Sequence, residues 1–479
     1  MRYAYTVAQT RALEAAAMAV VGEAALMQRA AHGLSVRSAD VLARTRGSVY
    51  GSRVVILVGP GNNGGDALYA GQRLARRGCA VTAVRALGQP HEAGLAALRA
   101  AGGRLVEGDA FGDQDLVGTD LVVDGVLGIG GRPGLPDRPA ALVAAAQART
   151  IPIVAVDLPS GVVADTGQAP SGSVRASRTV TFGTYKPCHV IEPAASRAGL
   201  IELVDIGLDE TGTPPALAAW EADDVAAHWP VPGPTSDKYA RGVVGVDTGS
   251  DAYPGAGVLS TLGAVYGGAG MVRYRGAQRS AEIIGGELPN VVFGEGRVQS
   301  WLAGSGWGDR ADGDEVISRL IDSGVPVVID ADGLRHLPDR LPGTVLLTPH
   351  AGELARLLDC ERGEVTADPV TAVRAGADRT GATVLLKGAT QLVATAATET
   401  VEVAVTGPAW TGQAGSGDVL GGLCAAVLAA GVGARTAAVL AASVQAMAAT
   451  RFRGPLPPQE LARRCATVIG ELGRARGPQ

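Results

Sequence analysis

Short runs of β-branched and aliphatic residues recur along this chain, most of them separated by helix-length stretches. In the first half the runs fall at 54–58, 80–84, 121–123, 151–156 and 179–182, with helical patterns at 66–77, 91–101 and 139–149. Strands this apolar are buried on both faces, and strands that alternate with helices pair in parallel. A second series begins at 243–246 and continues at 325–329, 344–348, 383–386, 391–394 and 401–405. Its helical stretches fall at 255–269, 312–323, 351–359, 367–379, 418–431 and 435–450. Between the two series, Asp209-Glu210-Thr211-Gly212-Thr213-Pro214-Pro215 is polar and turn-rich, the composition of a linker. A chain of 479 residues exceeds one ordinary core. The expected class is α/β with mostly parallel sheets in two domains, 1–212 and 213–479.

Composition narrows the function. Apolar residues make up 47% of the chain, which excludes a disordered protein. The net charge is −5 with both signs scattered and no basic block, so nucleic acid is not an expected partner. Cys79, Cys188, Cys360, Cys424 and Cys465 form an odd set without CxxC pairing, which fits a reduced, cytoplasmic setting better than a disulfide framework. Ala12 to Val21 is alanine-rich like a signal-peptide core, but Glu14 interrupts it, and residues 8–32 are expected to form one amphipathic helix. Val419 to Ala434 is uncharged yet Gly-rich and shorter than a bilayer span, so a buried helix is expected and no membrane contact. The closing Arg/Gly/Pro tail is expected to fray.

All but three of the 42 basic residues are arginine. Where arginine replaces lysine so freely, Lys186, Lys238 and Lys387 mark places that need a compact ammonium.

Two segments carry the chemistry. Gly59-Pro60-Gly61-Asn62-Asn63-Gly64-Gly65-Asp66 follows the first apolar run, and Gln413-Ala414-Gly415-Ser416-Gly417-Asp418 opens a long Ala/Gly/Leu helix. Glycine lets a backbone approach a phosphate, and a following helix aims free N–H groups at it. Two such loops more than three hundred residues apart point to two ligands and two sites. Near the first, Val122-Val123-Asp124-Gly125 and Ile153-Val154-Ala155-Val156-Asp157-Leu158-Pro159-Ser160-Gly161 end strands, so Asp66, Asp124 and Asp157 should cluster at one sheet edge. In the second, Asp418 can take a proton from a hydroxyl that attacks a phosphoryl group held by the Gly-rich turn. Val327–Gly333, Leu347–Glu353 and Leu385–Gln391 are further strand ends on that side, and the lysine of the last can meet nucleotide phosphates. The histidines other than His350 show no metal-ligand spacing, and zinc is not expected.

The motifs GPGNNGGD, VVDGVLGIG and VDLPSG, with Gly22-Glu23 and Met27-Gln28-Arg29-Ala30-Ala31, resemble the NAD(P)H-hydrate epimerase domain over about residues 1–208. That resemblance implies a Rossmann-like three-layer αβα fold. It implies that Asn62, Asn63, Gly64, Gly65 and Asp66, together with Gly128, Ile129, Gly130, Gly131, Arg132, Pro133 and Gly134, bind the hydrated nicotinamide nucleotide. It implies a potassium ion on Asn63, Asp124 and Ser160, and Asp157 as substrate contact and acid/base; Lys186 also fits its pattern. Ala67 stands where glycine is usual. Asp237-Lys238-Tyr239-Ala240-Arg241-Gly242, Gly304-Ser305-Gly306-Trp307-Gly308, DADGL, LTPHAGE, LLKGAT and QAGSGD resemble, in family order, the ribokinase-like ADP-dependent NAD(P)H-hydrate dehydratase over about 225–470. That resemblance implies nucleotide contacts at Lys387, Gly388, Ala389, Thr390, Gln391 and Gly417, and hydrate contacts at Ala256, Gly306, Gly308, His350 and Asp418. Asp418 is the implied base and Mg²⁺ accompanies ADP; Asp237 and Ser305 replace the usual histidine and proline. The implied whole is a homo-oligomeric enzyme that epimerises R- and S-NADHX or NADPHX and dehydrates the S form, with AMP and phosphate as products. The alternative is a vitamin-precursor kinase of the ribokinase superfamily with a non-catalytic nucleotide-binding N-terminal domain.

Overall fold

The computed structural model describes residues 1–452 and 454–475. The chain forms two compact units, Tyr3–Ala216 and Leu217 onward, with Met1–Arg2 counted with the second.

The first unit is built on a seven-stranded sheet whose order in space is Arg104–Glu107, Ala80–Arg85, Arg53–Val58, Leu121–Gly125, Ile153–Val156, Arg178–Phe182 and Leu200–Val204, paired in parallel throughout. Successive strand residues point to opposite faces, and the sequence uses both. Val54, Ile56 and Val58 pack with Leu34 of helix Glu23–Arg46 and with Leu68 and Leu74 of helix Gly61–Arg76. Val55 and Leu57 pack the other way, with Leu142, Val143 and Ala146 of helix Asp137–Ala148. The result is the expected three-layer αβα arrangement.

Two details differ from expectation. The helix expected over 8–32 is two, Val7–Val21 and Glu23–Arg46, because Gly22 takes φ +83° and ends the first ladder. The Gly-rich run after the first strand is largely not a loop: the helix starts at Gly61, so Asn62–Asp66 occupy its opening turns. Gly59 is required there, since a Cβ would lie 1.9 Å from the Val126 carbonyl oxygen.

In the second unit the strand order is Leu217–Ala219, Val401–Val403, Leu392–Ala394, Thr383–Leu386, Val345–Leu347, Val327–Ile329, Ser300–Ala303, Val243–Asp247, Met271–Tyr274 and Val292–Phe293. Pairing is parallel except on both sides of Leu392–Ala394, where two short connections make antiparallel turns. Helix Ser416–Ala429 is buried along nearly its whole length and packs with Leu262, Leu302 and helix Ala434–Thr450. It is the buried helix expected near 419–434. No helix among the described residues is long and apolar enough to cross a membrane. Of the tail expected to fray, 476–479 lie outside the described residues; Pro458–Ala475 before them is a helix that sequence reading missed.

Candidate active sites

In the first unit a cavity of about 470 Å³ opens at the carboxyl ends of the parallel strands, where open α/β sheets place ligands. Asn62, Asn63 and Asp66 line it from the start of helix Gly61–Arg76, Gly128–Gly131 from the loop after the fourth strand in space, and Asp157 from the end of Ile153–Val156. Gly64 and Gly65 are buried in the helix beneath, and Arg132, Pro133 and Gly134 continue the loop away from the lining. Sequence reading missed Arg11, Glu14 and Met18 from helix Val7–Val21, and the apolar walls Leu26, Phe182 and Ile206, whereas Ile129, expected with the glycine loop, is in the lining. The helical period of 7–21 placed Arg11, Glu14 and Met18 on one face, which was the available signal.

Asp157 is held on three sides. It takes φ +66°, a conformation most side chains avoid, which turns it off the strand end. The Lys186 ammonium donates to Asp157 Oδ1 at 2.5 Å and also to Thr181 Oγ1 and the Phe182 carbonyl, at 3.0 and 3.1 Å. Burial works to raise the Asp157 pKa, but the Lys186 charge, His189 and the Thr181 hydroxyl outweigh it and hold the carboxyl below its ordinary value. Asp66 goes the other way: burial, then the charges of Asp157 and Glu14, push it well above its ordinary value, and its Oδ1 has no hydrogen-bond partner. One cavity therefore carries two acids whose pKa values are pushed apart, Asp66 up and Asp157 down, an arrangement suited to giving a proton and taking one.

Asp124 sits fully buried at its strand end. Ser160 Oγ and N donate to its two oxygens at 2.6 and 2.8 Å, and no cation lies within ion-pair distance among the described residues. Burial pushes it up to about 6. Asn63 Nδ2 nearby is buried without a partner, and the Asn63 side chain lies against Gly128. A carboxylate, a hydroxyl and an amide supply hard oxygen ligands with one formal charge, which fits a monovalent cation.

In the second unit the reactive groups gather where Val327–Ile329, Thr383–Leu386 and helix Ser416–Ala429 meet. Lys387 Nζ donates to Asp330 Oδ1 at 2.6 Å; Thr348 Oγ1 donates to the same oxygen at 2.8 Å and Ser305 Oγ to Oδ2 at 3.0 Å. Serine in place of proline at 305 is thus part of the network. Burial works against the Lys387 charge, but Asp330, then Glu353 and Asp418, keep its pKa above the ordinary value. Asp418 lies in the first turn of its helix; burial and then Asp330 push it up to about 7, against the pull of Lys387 and Ser305. A Cβ on Gly417 would sit 3.3 Å from Lys387 Nζ, so glycine keeps the approach to the lysine open.

The loop Gly304–Gly308 lies against Ala256: a Cβ at Gly306 would come within 2.5 Å of the Ala256 Cβ. Trp307 Nε1 donates to the Asp247 carbonyl at 2.9 Å, and Arg310 donates to Asp247 Oδ1 at 2.6 Å while its guanidinium lies 4.4 Å from the Trp307 ring centre. Gly388–Gln391 form the turn that follows Lys387. His350 caps helix Ala351–Leu358, its Nδ1 accepting from the Gly352 and Glu353 N–H groups at 3.0 Å each, and its ring is exposed. A second cavity of about 360 Å³, lined by Arg335, Glu353 and Arg356 among others, contains none of Asp330, Lys387 or Asp418, and the chemistry gathers elsewhere. Of the three lysines, Lys186 and Lys387 pair with buried aspartates, whereas Lys238 is exposed against the Tyr239 ring. Among the described residues no group of three or more His, Cys, Asp or Glu is arranged to hold a metal ion.

Comparison with known proteins places both units in known families. The family described as YjeF-related protein N-terminus matches residues 23–188, and the family described as NAD(P)H-hydrate dehydratase matches 244–460. The chain is 45% identical over 447 residues to the bifunctional NAD(P)H-hydrate repair enzyme Nnr of Mycobacterium tuberculosis strain CDC 1551, covering 90% of each chain. It is 42% identical to the enzyme of that name from Mycobacterium leprae, covering 99% of each. The solved ADP/ATP-dependent NAD(P)H-hydrate dehydratase of Bacillus subtilis, co-crystallised with ATP and Mg²⁺, aligns with 53% of this chain and 99% of its own at TM-score 0.50 and 23% identity, a likeness of fold over the second unit. With both family matches in order along one chain and relatives aligned nearly end to end, the chain belongs to the bifunctional NAD(P)H-hydrate repair enzymes.

Proposed function

We propose that the first unit interconverts the R and S epimers of NADHX and NADPHX, and that the second converts the S epimer to NADH or NADPH at the expense of ADP. The placement of Asp66 and Asp157 in one cavity, with pKa values pushed in opposite directions, supports the epimerase reading. The substrate carries a hydroxyl on ring carbon 6, next to the ring nitrogen. Asp66 donates a proton to that hydroxyl, water leaves as the ring nitrogen supplies its electron pair, and Asp157 takes a proton from the water that adds to the opposite face. The apolar walls Leu26, Phe182 and Ile206 flank the ring and limit access of bulk water. Asn63, Asp124 and Ser160 would hold K⁺, whose charge balances Asp124 and fixes the turn carrying Ser160.

In the second unit Asp418 takes the proton of the S-epimer hydroxyl as its oxygen attacks the β-phosphorus of ADP, releasing AMP. Lys387 and the free N–H groups at the start of helix Ser416–Ala429 offset the charge on the phosphoryl oxygens. The C6–O bond then breaks with help from the ring nitrogen, phosphate departs, and loss of a proton from C5 restores the double bond. Mg²⁺ would be carried by the nucleotide phosphates and offset their charge, in keeping with the Bacillus subtilis relative co-crystallised with ATP and Mg²⁺. A cytoplasmic homo-oligomer accompanies this reading, and sedimentation checks the assembly.

The test is recovery of reduced-nicotinamide absorbance from mixed NADHX epimers with ADP, ATP or no nucleotide. Full nucleotide-dependent recovery, faster than spontaneous epimerisation, supports both activities. Recovery that stops at the S fraction refutes epimerisation, and no recovery with either nucleotide moves the second unit to a vitamin-precursor kinase.

A further inference from the structure

The cavity of the first unit presents a charge pattern that its motifs do not explain. Four acids face it, Glu14, Glu23, Asp66 and Asp157, and arginine appears once in its lining, as Arg11. Asp157 is neutralised by Lys186, and Glu23 accepts from Asn62 Nδ2 at 3.0 Å. Arg11 is exposed, and among the described residues no acid lies within ion-pair distance of its guanidinium and no group accepts a hydrogen bond from it.

Arg11 also has a defined place. Helix Val7–Val21 is fixed at its start: Thr6 caps it in a reciprocal box with Gln9, the Val7 N–H donates to Asp165 Oδ1 at 2.8 Å, and Thr10 Oγ1 meets Thr184 Oγ1 at 3.0 Å in the interior. One turn on, the Arg11 guanidinium lies over Gly130, where a Cβ would come within 3.2 Å of its Nη2. Across the same cavity, helix Gly61–Arg76 begins at Pro60 with no side chain capping its first N–H groups. A guanidinium with no ion-pair or hydrogen-bond partner among the described residues, its charge felt by Glu14 one turn on, lies over a glycine loop and faces an uncapped helix start, a pair of donors for one anion. The match to the N-terminal family begins at residue 23, after Arg11.

We infer that Arg11, on the N-terminal helix, binds a phosphate group of the dinucleotide at the epimerase site. This rests on the epimerase reading above. The guanidinium pairs with phosphoryl oxygens at the Gly130 end, while the four acids line the part that receives the uncharged ring and ribose hydroxyls. The phosphate is either the pyrophosphate, present in both substrates, or the additional 2′-phosphate of NADPHX.

The test is steady-state epimerisation of purified R-NADHX and R-NADPHX by the full-length chain and by Arg11→Gln and Arg11→Lys. Losing a charged hydrogen-bond partner should raise KM about tenfold or more in Arg11→Gln, with kcat within about twofold and partial recovery in Arg11→Lys. A rise for both substrates assigns the pyrophosphate, and a rise for R-NADPHX alone assigns the 2′-phosphate. Unchanged KM for both, or a loss of kcat alone, overturns the inference. Dehydration of the S epimer, performed by the second unit, should be unchanged in both variants and reports folding of the chain. A wild-type chain without R-to-S conversion would instead refute the epimerase reading. In that case calorimetric binding of ADP-ribose and of its 2′-phosphate, with the second unit saturated by ADP, still decides: equal affinity of wild type and Arg11→Gln for both ligands overturns the role of Arg11.

Discussion

Replacing Asp418 by asparagine should stop dehydration and make the second unit more stable. The carboxyl sits at about 7 against an ordinary 3.8, raised first by burial and then by Asp330. Its native state therefore holds the proton more tightly than the unfolded chain does. As pH rises from about 4 to 7 the unfolded carboxyl ionises while the native one resists, so stability is lost across that window and stays lost above it. A shift of about three pKa units corresponds to about 4 kcal/mol, and Asp418 is only half-buried, so about 2 kcal/mol is the realistic share. Asparagine keeps the shape without the ionisation. In a unit of this size that is about 4–8 °C in the unfolding transition at pH 8, closing toward zero near pH 4. Calorimetry of wild type and Asp418→Asn at several pH values reads the difference directly, with epimerisation followed in the same samples to show the first unit intact. An Asn variant equal to or less stable than wild type at pH 8 would refute a strained ionised base. The same ionisation governs turnover: the wild-type dehydration rate should fall as pH drops below about 7.

Three further outcomes follow from the first unit. Lys186→Met leaves Asp157 buried without its counter-charge and should cost about 3–5 kcal/mol of that unit's stability, read by denaturant unfolding, with S-epimer dehydration unaffected. Asp66→Asn keeps size and polarity but cannot give up a proton, so epimerase kcat should drop about 10²–10⁴-fold; near-normal turnover would remove its role as acid. Replacing K⁺ by Li⁺ should slow epimerisation in the wild type and have little further effect in Ser160→Ala, whereas equal rates in either salt would argue against a cation on Asp124.

Much of this architecture was legible because the strands are short, apolar and bounded by glycine and acid. Arg53–Val58, Ile153–Val156 and Thr383–Leu386 declare themselves by composition. Ser300–Ala303 and Met271–Tyr274 do not, since Ser300, Trp301 and Arg273 dilute the pattern and only the neighbours on each side bury them. The start of helix Gly61–Arg76 was misplaced because Gly-Asn-Asn-Gly-Gly has poor helix propensity, and packing under Val126 overrides it. The sequence motifs located Asp66, Asp157, Lys387 and Asp418. They could not say that the pKa values of Asp66 and Asp157 shift in opposite directions, which depends on Lys186 lying across from one and not the other. Arg11 and Glu14 were overlooked as site residues: the helical period groups them on one face, but nothing in the sequence ties that face to the loops at 59–66 and 128–134.

The near-absence of lysine has a practical corollary. Lys186 is 1% exposed and locked against Asp157, Lys387 is held by Asp330, and the α-amino group pairs with Asp224 at 2.7 Å, which leaves Lys238 as the open primary amine. Among the lysines, an amine-directed fluorophore should therefore attach almost wholly at one position in the 479-residue chain, beside Tyr239, without mutagenesis.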